Sequence, residues 1–74
     1  MQVTSNEFAL LAALASGAPS SRRALAARTG LSSGSVGRTL KAVEDAGLVR
    51  DGALTQTGFD ALEPYRVRNA VVMA

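Results

Sequence analysis

The side chains in this sequence that are best suited to chemistry are cations. Five of them lie between Glu7 and Glu44, a stretch without any acidic residue: Arg22, Arg23, Arg28, Arg38 and Lys41. This block carries +5 and the rest of the chain −3, which together give the net charge of +2. Clustered cations favour a polyanion as partner over an acidic protein patch. A solvated basic face without a partner is the alternative interpretation of charge alone.

Other chemistries are excluded by residues that the chain lacks. With no cysteine and no histidine, it has no soft metal ligand, no disulfide and no Cys–His or Ser–His pair. The adjacent carboxylates of Glu44 and Asp45 point about 100° apart on a helix, which makes a poor acid–base pair. A chain of 74 residues also forms one domain at most. We therefore expect no catalytic residue, no metal site, no cofactor and no enzyme activity in this chain.

The sequence also bears on the compartment. No apolar run approaches the ~20 residues that cross a bilayer, and the N-terminus lacks the basic start and apolar block of a signal peptide. We expect a cytoplasmic protein without membrane contact.

The first helix has clear signals at both ends. Thr4 and Glu7 form a capping box at its start, and Gly17 stands where a left-handed C-terminal cap is expected. Its apolar residues cover more than one face: Phe8, Leu10, Leu11, Ala12, Leu14 and Ala15. So wide an arc predicts a helix that lies between two layers or lends one side to a partner chain, such as a second copy.

The next two helices carry most of the cations. The second is predicted over Arg22 to Thr29, with Ser20 or Ser21 as N-cap and Gly30 as its end. The third is predicted from Ser33 to about Ala46.

The third helix has a buried side and a basic side. Val36, Leu40 and Val43 recur at helical spacing and are predicted to face the core. The outward face and its flanks carry small and basic residues: Gly34, Ser35, Gly37, Arg38 and Lys41. Such a face suits a major groove about 12 Å wide.

A hairpin and a fourth helix follow. Asp51-Gly52 is a strong turn signal between two short strands, Leu48 to Arg50 and Ala53 to Thr55. Thr55 is predicted to cap a helix that continues through Leu62 and stops at Pro64.

Two helices joined by a tight turn and followed by a β-ribbon predict a mostly α fold with a short β-hairpin wing, a winged helix-turn-helix. Residues 25–49 resemble the helix-turn-helix of MarR-type DNA-binding domains, and Leu54-Thr-Gln-Thr-Gly58 is similar to the LT-x-x-G that follows the wing in that family. The resemblance implies duplex DNA as partner. It also implies contact positions at Ser33, Ser35, Arg38 and Lys41 and at Arg50 in the wing. From their charge and their place on the second helix, Arg22 and Arg23 are candidates for contact with the DNA backbone, and a solvated basic face is the alternative for them.

The last residues carry a second resemblance. Residues 65–74 look like the lead-in to the first strand of a nucleotidyltransferase domain of the sugar-phosphate or phosphocholine cytidylyltransferase type. This implies a winged-helix domain over residues 1–63 and, over residues 64–74, a linker and the start of a covalently following catalytic domain.

Two departures from the MarR-type pattern favour a rival function. Gly34 and Gly37 bring no side chain to a base edge, which predicts poor sequence-specific readout. The wing is reduced to Asp51-Gly52, and Asp51 has the wrong sign for phosphate. A protein-interaction, regulatory or dimerisation module that does not bind DNA is therefore the alternative to a DNA-binding domain.

Overall fold

Helices and one hairpin alternate with short turns along residues 3–63, the part of the chain that this computed structural model describes. The elements are α1 (Ser5–Ala15), α2 (Arg22–Thr29), α3 (Ser33–Asp45), β1 (Val49–Arg50), β2 (Ala53–Leu54) and α4 (residues 56–63). The predicted helix stop at Pro64, the linker and the final strand lie outside the described residues.

The predicted helix starts are confirmed by their caps. At α1 the Glu7 amide donates to Thr4 Oγ1 at 3.1 Å, and the Thr4 amide donates to Glu7 Oε1 at 2.8 Å, which is the full capping box. Of the two candidate caps of α2, Ser21 is the one used, since its Oγ accepts from the Ala24 amide at 3.2 Å. Gly30 ends α2 in the left-handed conformation with φ 77°.

The core lies between α1, α2, α3, the hairpin and α4, which contributes Ala61 and Leu62. Its most deeply buried side chains are Leu10, Leu11, Leu25, Val36, Val43 and Leu48. The inward stripe predicted on α3 is thus confirmed at two of its three positions. Leu40 is only half-buried and packs at the core edge, and the buried position between the two valines belongs to Thr39. The inward direction of α3 is rotated slightly from the predicted one, toward the side on which Thr39 lies.

The hairpin turn has the predicted backbone. Asp51 and Gly52 both have positive φ, 52° and 79°, as a type I′ turn requires. The strands pair antiparallel with Val49 opposite Leu54 and Arg50 opposite Ala53. Each strand is two residues long, one shorter than predicted.

Thr55 joins the hairpin to α4. Its Oγ1 accepts from the Gly58 amide at 3.1 Å, as predicted for the cap of this helix, and donates to the Gly47 carbonyl at 2.6 Å. Its own amide donates to the Leu48 carbonyl at 3.0 Å. Gly58 packs directly over that carbonyl, so closely that a Cβ at this position would overlap the Leu48 oxygen.

The order of elements is that of a winged helix-turn-helix, as predicted. The turn between α2 and α3 is three residues long, α1 packs against both helices, and the two-stranded hairpin follows α3. Within residues 3–63, no helix combines the length and the apolar character that a membrane crossing requires.

Candidate nucleic-acid interface

The exposed face of α3 is the centre of the candidate interface. Val36 and Val43 are fully buried, whereas Arg38 and Lys41 on the opposite side are exposed. The first turn is closed by Ser32, whose Oγ accepts from the Ser35 amide at 3.1 Å and donates to Ser35 Oγ at 3.1 Å. Packing on one side and a cap at the start therefore hold the basic side outward.

Arg38 folds back over the first turn of α3. Its Nη2 donates to Ser35 Oγ at 3.5 Å, and its Nη1 would lie 3.6 Å from a Cβ placed on Gly34. This direction is expected, since helical side chains lean toward the N-terminus. Among residues 3–63 no carboxylate pairs with Arg38, so most of its donors stay available at the end of α3 that a helix-turn-helix inserts into DNA.

Arg22 reaches across from α2 to α3. A Cβ at Gly37 would lie 2.9 Å from Arg22 Cζ and 3.0 Å from both Nε and Nη2, so the guanidinium occupies the space beside this glycine. Arg22 thereby joins the flank of the face that carries Arg38 and Lys41. Gly37 is a functional candidate that the sequence interpretation missed. No sequence signal could have found it, because the role of Gly37 depends on a contact between two helices.

The other two arginines of α2 have different surroundings. Arg23 is exposed in the first turn, and neither α2 nor α3 has an acidic residue in its first turn. Arg28 Nη1 donates to Ser16 Oγ at 3.4 Å, beside the C-terminal cap of α1. A cation is favourable at that end of a helix dipole, which gives Arg28 a structural role.

The remaining predicted contact residues are more widely spread. Ser33 is the first residue of α3 and is exposed. Ser35 is half-buried, with its hydroxyl engaged by Ser32 and Arg38. Arg50 is exposed on β1 and lines a shallow pocket with Glu44, beside the C-terminal half of α3. The structure thus places Arg22 of α2 beside the α3 residues Ser33, Ser35, Arg38 and Lys41. Arg50 lies apart from this group. The DNA contacts of all these residues stay predictions.

An apolar groove lies between α1 and α4. It has a volume of about 330 Å³ and is lined by Phe8, Ala12, Ala15, Ser16, Phe59 and Leu62. Phe59 is 42% exposed. The wide apolar arc of α1 is thus divided, with Leu10 and Leu11 in the core and Phe8 in the groove. Within the described range, no three acidic side chains form a group that could hold a metal ion.

Comparison with known proteins identifies the family. The sequence model of the MarR family matches residues 1–53, which span α1, the helix-turn-helix and the hairpin turn. No curated protein and no solved structure matches the chain significantly. None of these comparisons supports the predicted nucleotidyltransferase link, whose residues 65–74 also lie outside the described range. The match covers well over half of the chain and agrees with the winged-helix fold, and the chain therefore belongs to the MarR family.

Proposed function

We propose that this domain binds duplex DNA as a transcription regulator does, with α3 in the major groove and α2 against the phosphate backbone. The observation that carries the proposal is the basic face of α3. Arg22, Arg38 and Lys41 lie on or beside this face, and within residues 3–63 none of them is paired with a carboxylate. An unpaired basic face on the second helix of a helix-turn-helix is the footprint expected of a DNA reader.

The N-terminal turn of α3 has the shape for close approach. Ser33, Gly34 and Ser35 have small side chains, and Arg38 lies over them. Arginine pairs with the two acceptors of a guanine edge, and serine hydroxyls bond to several bases. Glu44 and Asp45 are at the opposite end of the helix. In this docking their charges stay away from the phosphates.

The start of α2 is suited to a phosphate. Arg22 and Arg23 are in its first turn, where the helix dipole is positive and a cation is unfavourable. A phosphate at this end would interact favourably with both arginines and with the unpaired amides of the first turn. The arrangement supports backbone contact by α2.

Salt dependence tests the proposal. If about four of the five central cations each neutralise one phosphate, a plot of log K against log salt should have a slope of about −3 to −4. Fluorescence anisotropy of a labelled duplex, titrated at several salt concentrations, measures this slope. A duplex of shuffled sequence serves as control and should give a similar slope, because phosphate contacts are independent of sequence. No binding at low ionic strength rejects the proposal.

The apolar groove supports a second candidate function, that of a dimerisation module. Phe59 is partly exposed beside Ala12 and Ala15 on α1, and an exposed aromatic next to apolar helix surface is typical of protein interfaces. A homodimer through this groove is compatible with DNA binding if the two copies of α3 are about 34 Å apart. If the domain does not bind DNA, dimerisation through this groove is its main function.

Substitution of Phe59 tests this second candidate. We expect Phe59→Asp to convert a wild-type dimer into a monomer, because a carboxylate in the groove would lose its hydration in the interface. Sedimentation velocity measures the change. Thr57→Asp, an exposed position on the same helix, is the matched control and should leave the dimer intact. A monomeric wild-type domain, or a Phe59→Asp variant that still dimerises, contradicts this role for the groove.

The link to a nucleotidyltransferase domain stays a prediction. It is tested by the codons after Ala74 in the reading frame, where a Gly-rich phosphate-binding loop would support it.

A further inference from the structure

Gly37 of α3 lies directly beside the guanidinium of Arg22 on α2. The Arg22 side chain is exposed, yet its guanidinium lies against the one position of α3 that both faces α2 and lacks a side chain. In the part of the chain described, no hydrogen bond or ion pair holds this guanidinium. Its placement therefore depends on the space that Gly37 leaves.

The three distances define how the guanidinium lies. The point where a Cβ of Gly37 would be is almost equally far from Cζ, Nε and Nη2, at 2.9, 3.0 and 3.0 Å. A point equidistant from three atoms of a planar group lies above its face and not at its edge. The plane of the guanidinium therefore covers Gly37. Its N–H donors, which lie in that plane, point sideways along the surface of α3.

We infer that Gly37 is a positioning residue for DNA binding, which places Arg22 to donate to a backbone phosphate beside α3. The inference rests on the proposed function. Glycine is a poor residue for a helix interior, and alanine would stabilise α3. What glycine provides is room: at 2.9–3.0 Å a Cβ would force the flexible Arg22 side chain away without disturbing any backbone.

The inference predicts opposite effects of Gly37→Ala on stability and on binding. The thermal midpoint should rise by roughly 4–8 °C, because alanine favours the helix and the displaced arginine is exposed. DNA affinity at about 0.1 M salt should fall about five- to tenfold, since the loss of one phosphate contact lowers the salt slope by about 0.9. A merely structural role of Gly37 would not move the salt slope.

A double-mutant cycle tests this. Gly37→Ala, Arg22→Gln and the double variant are titrated with the same labelled duplex over a range of salt concentrations. We expect each single variant to lower the salt slope by the same amount, and the double variant to lower it no further, because both substitutions remove the same phosphate contact. Arg28→Gln is the control. It removes one arginine charge from the same helix as Arg22, but Arg28 donates to Ser16 Oγ at the end of α1, so it should leave the slope nearly unchanged.

The outcomes separate this inference from the proposed function. If the wild type binds and Arg22→Gln loses affinity while Gly37→Ala does not, the positioning role is wrong and DNA binding stands. If Arg22→Gln binds like the wild type, the phosphate contact itself is wrong. Additive losses in the double variant also overturn the positioning role. If the wild type does not bind at low salt, the proposed function fails and the inference fails with it.

Discussion

Replacement of Gly58 by alanine is expected to destabilise the domain by about 3 kcal/mol or more, the upper range for an overpacked site. The added Cβ would overlap the carbonyl oxygen of Leu48 and lie 2.9 Å from Leu54 Cδ2. That carbonyl cannot turn aside easily, because it accepts the Thr55 amide at 3.0 Å and belongs to a residue that is 1% exposed. Relief of the overlap requires α4 to separate from the hairpin.

The measurement is chemical or thermal unfolding followed by circular dichroism. A domain of this size is stable by about 4–11 kcal/mol, and each kcal/mol moves the midpoint by about 4–8 °C, so a loss of about 12 °C or more is expected. Gly34→Ala is the matched control, since it makes the same change in a helix where the Cβ has space, and should be stabilising. Gly58→Ala with an unchanged midpoint would show that α4 does not pack against Leu48 as described.

Arg38→Ala is expected to weaken binding to a preferred duplex by about 10- to 100-fold, the range for loss of a bidentate contact to guanine. Arg38 is exposed, lies over the first turn of α3 and has the Ser35 hydroxyl at 3.5 Å as its nearest hydrogen-bond partner. Its loss should therefore leave the fold intact. The loss of affinity should be larger on the preferred duplex than on a shuffled one, because a base contact carries sequence information and a phosphate contact does not.

Arg28→Ala is the matched control. It removes the same charge from the same basic block, but Arg28 contacts Ser16 at the end of α1 and not α3. We expect less than about a threefold change in affinity, because a charge outside the interface acts only through a screened field. The preferred duplex is first obtained by selection from a randomised pool. Equal losses of affinity for the two variants would contradict the docking of α3 in the groove. They would mean that both arginines act only through their charge and not through a contact to a base.

The helix bounds could be predicted because their signals are local. Thr4 with Glu7, and Gly30, act within three or four residues of themselves, so sequence spacing places the start of α1 and the end of α2. The start of α2 is narrowed to two adjacent serines, of which the structure uses Ser21. The Asp51-Gly52 turn is local in the same way. Periodicity likewise predicted which side of α3 faces the core. It did not predict that Thr39 is more deeply buried than Leu40, because that depends on how the helix is rotated against its neighbours.

The two glycines that matter most could not be interpreted from sequence. From the sequence, Gly37 is only a position that brings no side chain to a base edge. Its contact with Arg22, 15 residues earlier in the chain, is visible only in the fold. From the sequence, Gly58 is only the last residue of the LT-x-x-G motif. The physical reason for a glycine there is the close approach of α4 to the Leu48 carbonyl. Both roles arise from contacts between elements, and spacing within one element carries no information about such contacts.

The short hairpin limits how much sequence one copy can read. With strands of two residues and an acidic tip, it offers no long arm for the minor groove, and Arg50 on β1 is its one cation. In the proposed docking, one copy therefore depends mainly on one inserted helix. One helix contacts only a few base pairs. A base sequence that short recurs by chance throughout any genome, where about 10⁶–10⁹ competing sites are present. A regulator built on this domain would need a second DNA-binding element, in another copy or another protein, to select a unique site.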